Sequence, residues 1–296
     1  MKTRAYVWLF AASLTAACSN PAGSNACRVG ADCASGICLP DGTCSSTEAD
    51  GGVDDAPPST DAPESCGNLD GTITRDEAPL DAGLMATYRV GIETSVSTAG
   101  TMNPDGSRTW DLTTAMAGDH DVHFETKSIA GTWFAEAFPT ATFASRLNAD
   151  GTLLGVYQAT PTALLLVGVV SPAGGLGRTE LTYDPPVEVK RYPLASNDSW
   201  TELADVSGLA AGFVAAYSET FDVSVDAAGN AVTPAGTYPV LRVRTVVTRT
   251  VGIVDTILRT YQLDAECLGS VATLRANDNE SEVEFTNAAE AWRRGP

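Results

Sequence analysis

The chain has 296 residues, of which 44% are hydrophobic, 7% aromatic and 19% charged. Lys and Arg number 18 against 37 Asp and Glu, a formal charge of −19. That balance argues against nucleic acid as a partner and against an electrostatic grip on anionic lipid, while the apolar content supports a core over most of the length.

The N-terminus carries Lys2 and Arg4, then an apolar run from Ala5 to Ala17 broken only by Ser13 and Thr15. A charged start followed by a short apolar stretch predicts a secretory signal over residues 1–17. The run is shorter than the ~20 residues a helix needs to cross a bilayer. Its end, Leu14-Thr15-Ala16-Ala17-Cys18, resembles a bacterial lipobox, with Thr15 where that pattern usually has Leu. The resemblance implies cleavage before Cys18, diacylglycerol on its sulfur and acylation of its amine, by palmitate or a similar chain. The competing reading is an ordinary signal peptide with Cys18 as a chance thiol. Ser19 follows Cys18 where an Asp would favour the inner membrane. By analogy with enteric lipoproteins, a lipid-anchored N-terminus over 18–26 is then expected at the outer membrane.

The cysteines support this assignment. There are seven: Cys18, Cys27, Cys33, Cys38, Cys44, Cys66 and Cys267. An odd count in an exported chain leaves one without a mate; giving Cys18 to lipid leaves six. Residues 27–44 hold four of them, separated by turn residues with little to bury, so disulfides must supply the stability there. Zinc sites usually bring cysteines closer together in pairs. Of the three pairings we take Cys27–Cys38 with Cys33–Cys44. The segment "CRVGADCASGICLPDGTC" resembles small cysteine modules found behind the anchor in lipoproteins of myxobacteria and their relatives. Residues 45–65 follow with six acids, no Lys or Arg, and Pro57, Pro58 and Pro63. Such composition predicts an extended, disordered spacer.

Residues 66–296 read as one β domain: an all-β fold, an antiparallel β-sandwich or a curved half-barrel. Pro239–Thr250 and Phe213–Val225 alternate with period two, and Asp226–Asn230 reads as the turn between them. Further strands are predicted at 84–96, 108–113, 121–126, 153–158, 163–170, 178–183, 256–263, 271–276 and 281–285. Cys66 and Cys267 remain after the small module, so they are paired with each other. On the chain-entropy model, closing a loop of about 200 residues contributes on the order of 5 kcal/mol.

Two resemblances attach to this domain. "CGNLDGTITRDEAPL", "GDHDV", "TELTYDPPV" and "PVLRVRT" are similar to an uncharacterised family of myxobacterial lipoproteins, which implies no activity. "YPLASNDSW", "VTPAGTYPVLRV" and "YQLDAECLGSVATL" are similar to envelope β-proteins, some of them curved half-barrels like the LolA-type lipoprotein carriers. That likeness implies a concave face for acyl chains.

Candidate chemistry is sparse. Cys66–Glu77 resembles an EF-hand loop, implying a weak calcium site at Asn68, Asp70, Thr72 and Glu77, although Cys66 stands where the first Asp belongs. The alternative is an Asp-Gly-rich turn. Asp119-His120-Asp121-Val122-His123 holds both histidines. On a strand His120 points away from Asp121 and His123, so a zinc or triad arrangement needs help from elsewhere. Glu282 and Glu284 share the face of a predicted strand, where a solvated edge is the simpler reading. Arg242 and Arg244 are expected to pair with acids across strands. Gly174–Gly177 lacks the Lys-Ser/Thr of a phosphate loop.

The sequence therefore predicts no enzyme and no resident cofactor beyond the calcium reading. It predicts a membrane-anchored envelope lipoprotein with a binding or structural role and an envelope protein or hydrophobic small molecule as partner. A carrier or sensor of a hydrophobic ligand is the alternative; a hydrolase using His120 and His123 comes third.

Overall fold

A computed structural model describes residues 66–296. The signal, Cys18, the module of Cys27, Cys33, Cys38 and Cys44, and the 45–65 spacer lie outside the described residues.

The described chain is all-β. In order it forms β1 (Thr72–Ile73), β2 (Met85–Ser95), β3 (Thr101–Met102), β4 (Arg108–Asp111), β5 (His120–Glu125), β6 (Lys127–Ser128), β7 (Phe143–Arg146), β8 (Leu154–Ala159) and β9 (Ala163–Val170). Then come β10 (Glu180–Arg191), β11 (Leu194–Ala195), β12 (Ser199–Ala210), β13 (Phe213–Thr233), β14 (Gly236–Val251), β15 (Val254–Ala265), β16 (Gly269–Arg275) and β17 (Asn287–Arg294). One 15-stranded sheet takes all but β1 and β11, which pair with each other. Its main path runs β5-β2-β17-β16-β15-β14-β13-β12-β10-β9-β8-β7-β6. Near its two ends β5 and β7 approach each other, so the sheet curls into a nearly closed barrel. This is the curved form of the expected fold rather than two packed sheets.

Turn chemistry sets the long hairpins. Between β12 and β13, Ala211 (φ 51°) and Gly212 (φ 83°) are both left-handed, as the tight turns that match strand twist require. The β13–β14 hairpin turns at Pro234-Ala235, with Thr233 opposite Gly236. Asp226–Asn230 is therefore not a turn. It continues β13, and a register shift between Val225 and Ala227 marks a bulge there. The bulge re-aims the alternation: Phe221, Val223 and Val225 belong to one core cluster, Ala231 to another. Where β12 has ended, β4 takes its place beside β13 in a parallel pairing at Gly229–Val232.

The sheet buries both faces over much of its area. The inner face of β9, β10, β12, β13 and β14 packs Leu164, Val187, Val206, Val223 and Val243 against Ile73, Ala78 and Leu80 from the opening segment. The outer face of β14–β17 is covered by Trp110 and Leu112 of the β4 region and by Phe285. Phe285 belongs to a loop: residues 281–285 form no strand, because they fold over the sheet as its cover rather than pairing with it.

Candidate functional site

The inner face carries a polar crossing between distant strands. Lys190 of β10 and Asp264 of β15 are separated in the sheet by β12, β13 and β14, yet Nζ lies 2.6 Å from Oδ2. Curvature brings them together. Asp264 is 2% exposed, and its Oδ1 has no hydrogen-bond partner among the described residues. Tyr192 lies nearby. Burial raises its phenol, the Asp264 charge adds to the rise, and Arg75 opposes it. Tyr88 of β2 completes the surroundings, its hydroxyl donating to Ser270 O at 2.5 Å. Burial raises this phenol too, against the pull of Arg294.

An open groove of about 690 Å³ lies between the opening segment and the β8–β9 hairpin, lined by Thr74, Arg75, Asp76, Ala159, Thr160 and Pro161. Arg75 is fixed in its wall by bonds from Nε to Thr160 O (3.1 Å) and from Nη1 to Ala78 O (3.3 Å). This arrangement can hold a small polar group. It brings no nucleophile and base into hydrogen-bond contact.

A second buried group is built the same way. Glu219 of β13, 2% exposed, accepts from Tyr183 Oη (2.9 Å) on β10 and Arg249 Nε (2.7 Å) on β14. Burial, reinforced by the Glu219 charge, pushes the Tyr183 phenol far upward. Arg249 also stacks 5.0 Å over Tyr217.

The sequence-predicted residues are distributed as follows. Cys66 and Cys267 are bonded, with Cα atoms 5.8 Å apart. Asn68, Asp70 and Thr72 form one local network, with Asp70 N donating to Asn68 Oδ1 (3.0 Å) and Thr72 N to Asp70 Oδ1 (2.8 Å). Glu77 stands apart from it, accepting from both Thr74 N and Thr74 Oγ1 at 2.8 Å. His120 and His123 are exposed on β5; Nδ1 of His120 faces Gly118 O at 2.8 Å, and Nδ1 of His123 faces Thr87 Oγ1 at 3.5 Å. Asp121 pairs with Arg89, and Asp119 with the buried Arg293. Glu282 and Glu284 are not a strand pair. Glu284 clamps Arg242 through Nη2 (2.8 Å) and Nη1 (3.0 Å), while Asp226 takes Arg242 Nε at 2.7 Å. Arg242 lies 4.6 Å above the Tyr261 ring.

Lys190, Asp264, Tyr192 and Arg75 were not singled out by sequence reasoning. Alternation gave no signal for the pair: Lys190 is out of phase with Val187 and Val189, and Asp264 with Tyr261 and Leu263, and register shifts lie beside both charges, between Glu188 and Lys190 and between Leu263 and Asp264. Sequence alone does not say that these two strands meet across an interior.

Compared with protein-family models, with curated proteins and with solved structures, the chain gives no match to any of them.

Proposed function

We propose that the chain is an exported, lipid-anchored envelope protein, held at the outer membrane, whose β domain binds a partner or plays a structural role rather than catalysing a reaction. The observation that carries this reading is Leu14–Cys18 together with seven cysteines, one more than can pair. A two- or three-chain anchor holds stably where a single acyl chain is marginal. The Cys66–Cys267 bond supports an oxidising compartment. The non-catalytic part draws support from Lys190–Asp264 and Arg249–Glu219, whose charges are engaged in structural pairs.

A carrier of hydrophobic ligands is the second reading, supported by the Leu and Val lining of the inner face. Ile73, Ala78 and Leu80 pack into that same cluster. A ligand entering there has to displace the opening segment, which is tied to the sheet by Cys66–Cys267.

Metabolic labelling with a radioactive fatty acid tests the anchor. The wild-type chain takes up label and sediments with membranes, whereas Cys18→Ala does neither. An unlabelled wild-type chain in the soluble fraction overturns the proposal. A delipidated chain that takes up a fluorescent fatty acid moves the preference to the carrier.

A further inference from the structure

Buried arginines of this domain have partners: Arg242 has Asp226 and Glu284, and Arg293 has Asp119 with Leu112 O and Thr114 O. Arg259 of β15 differs. It is 9% exposed, its Nε is buried without a hydrogen bond, and its guanidinium forms no ion pair among the described residues.

Beside it, two neighbours each carry one buried atom without a hydrogen bond. Arg244 lies opposite Tyr261 and Arg259 opposite Val246, so the two arginines are diagonal neighbours on one face, roughly 7–8 Å apart. Ser224 of β13 lies directly opposite Arg244. Arg244 Nε and Ser224 Oγ are also buried without hydrogen bonds among the described residues. The nearest acid to Arg244 is Asp226, at 3.8 Å, whose other oxygen is already taken by Arg242.

The loop before β17 walls this face. Ala276 N donates to Arg259 O (2.9 Å), and Tyr261 Oη donates to Val283 O (2.6 Å). The loop carries Asp278, Glu280 and Glu282, yet none of them pairs with either arginine. Like charges on adjacent strands repel, and an unpaired charge withdrawn from water is costly. In a chain with 37 acids, Arg259 is left without an acid among the described residues; beside it Arg244, a third exposed and loosely paired with Asp226 at 3.8 Å, and Ser224 each keep one buried atom without a hydrogen bond, on three consecutive strands.

We infer that Arg259, Arg244 and Ser224 form an oxyanion site for a phosphate-class group, either free phosphate or the phosphate of a headgroup ester. Guanidinium forks match the geometry of such oxygens, and the serine hydroxyl supplies a further donor. A bound dianion offsets both the repulsion and the burial cost. The site is independent of the anchor proposal.

Thermal unfolding of the full chain, in chloride and in inorganic phosphate at equal ionic strength, tests this. Phosphate raises the midpoint saturably, as a ligand selective for the folded state must. Arg259→Met weakens phosphate binding at least tenfold, and it raises the midpoint in phosphate-free buffer because it deletes an unpaired buried charge. Arg244→Met weakens binding as well. The opposite signs separate loss of a site from a damaged fold. Absence of a phosphate effect, an undiminished effect in Arg259→Met, or an Arg259→Met chain less stable than wild type without phosphate overturns the inference. For the source, the Cys18→Ser chain is floated with phosphatidylethanolamine vesicles. Binding that millimolar phosphate abolishes supports the headgroup ester; a midpoint rise without flotation supports free phosphate.

Discussion

Lys190→Met measures what the interior ion pair contributes to the curvature of the sheet. Lys190 is 13% exposed and Asp264 2% at the side chain, and Asp264 Oδ2 loses its partner in the variant while Oδ1 has none already. Removing one member of a buried pair costs about 3–5 kcal/mol, because the remaining charge is left uncompensated. An exposed pair would cost about 0–1 kcal/mol. At about 2–4 °C per kcal/mol for a domain of this size, the melting temperature falls by about 6–20 °C. The double variant Lys190→Met/Asp264→Leu returns close to wild type, since no charge is then buried alone. Urea denaturation gives the free energies, and an unchanged m-value shows that the folded state kept its compactness. A loss below about 1 kcal/mol, or a double variant as unstable as the single one, refutes the reasoning.

Gly229→Ala places a Cβ 1.8 Å from Arg108 O, so β4 must shift; a loss of about 1–3 kcal/mol is expected, with faster amide exchange confined to the β4 region. Burial alone would raise the Glu284 carboxyl, but hydrogen bonds from Arg242 and Thr98 outweigh it and hold it below its ordinary 4.5. Its contribution is therefore present above pH ~4.5 and lost as pH falls through the folded value; melting curves from pH 6 to 3 should be flatter for Glu284→Gln than for wild type, and parallel curves would contradict this. At the alkaline end burial pushes the Tyr157 phenol up to about 12 and raises Tyr183 and Tyr192 as well. Stability from these groups is complete below pH ~10 and declines as pH rises toward the folded values, so their ultraviolet titration should track unfolding rather than run freely near 10. Glu77→Ala removes the acceptor of Thr74 N and Oγ1 and should cost about 1 kcal/mol, by analogy with a lost helix cap; the cost should be the same with and without millimolar calcium.

Legibility varied with what each strand buries. The β14 segment was read from its alternation of β-branched residues, and 163–170 from an unbroken apolar run that the structure buries against two clusters. β12, "SWTELADVSGLA", escaped because Ser199, Thr201, Asp205 and Ser207 hold outer positions, while its inner positions carry only Trp200, Ala204 and Val206 in the core, with Glu202 and Gly208 between and after them. β17, "NAAEAWRR", has the composition of a helix; pairing with β16 and β2 on its two sides overrides that preference. The segment around Ala227-Ala228-Gly229-Asn230 looks like a turn because small residues were needed for another reason, the close approach of β4. Of the candidate groups, Arg242 was read correctly as an acid-paired arginine. Its partner Glu284 was placed on a strand edge because a loop returning over a sheet leaves no periodic trace.

The buried charges follow one pattern. Lys190–Asp264 joins β10 to β15, Tyr183–Glu219–Arg249 joins β10, β13 and β14, and Arg293 ties β17 to Asp119 and to the carbonyls after β4. Lys190–Asp264, Tyr183–Glu219 and Arg293 with Asp119 each link segments that are not ladder neighbours, while Arg249 reaches Glu219 directly across the β13–β14 ladder. A chain with 7% aromatic residues has few large side chains with which to define the approach of one face to another. Paired charges do so through direction and distance, because a misplaced partner leaves a buried charge exposed to the full desolvation cost. By that logic a buried charge without a partner is not tolerated as a neutral feature. It has to be offset by something the chain does not itself supply, and Arg259 is the buried charge that meets that condition.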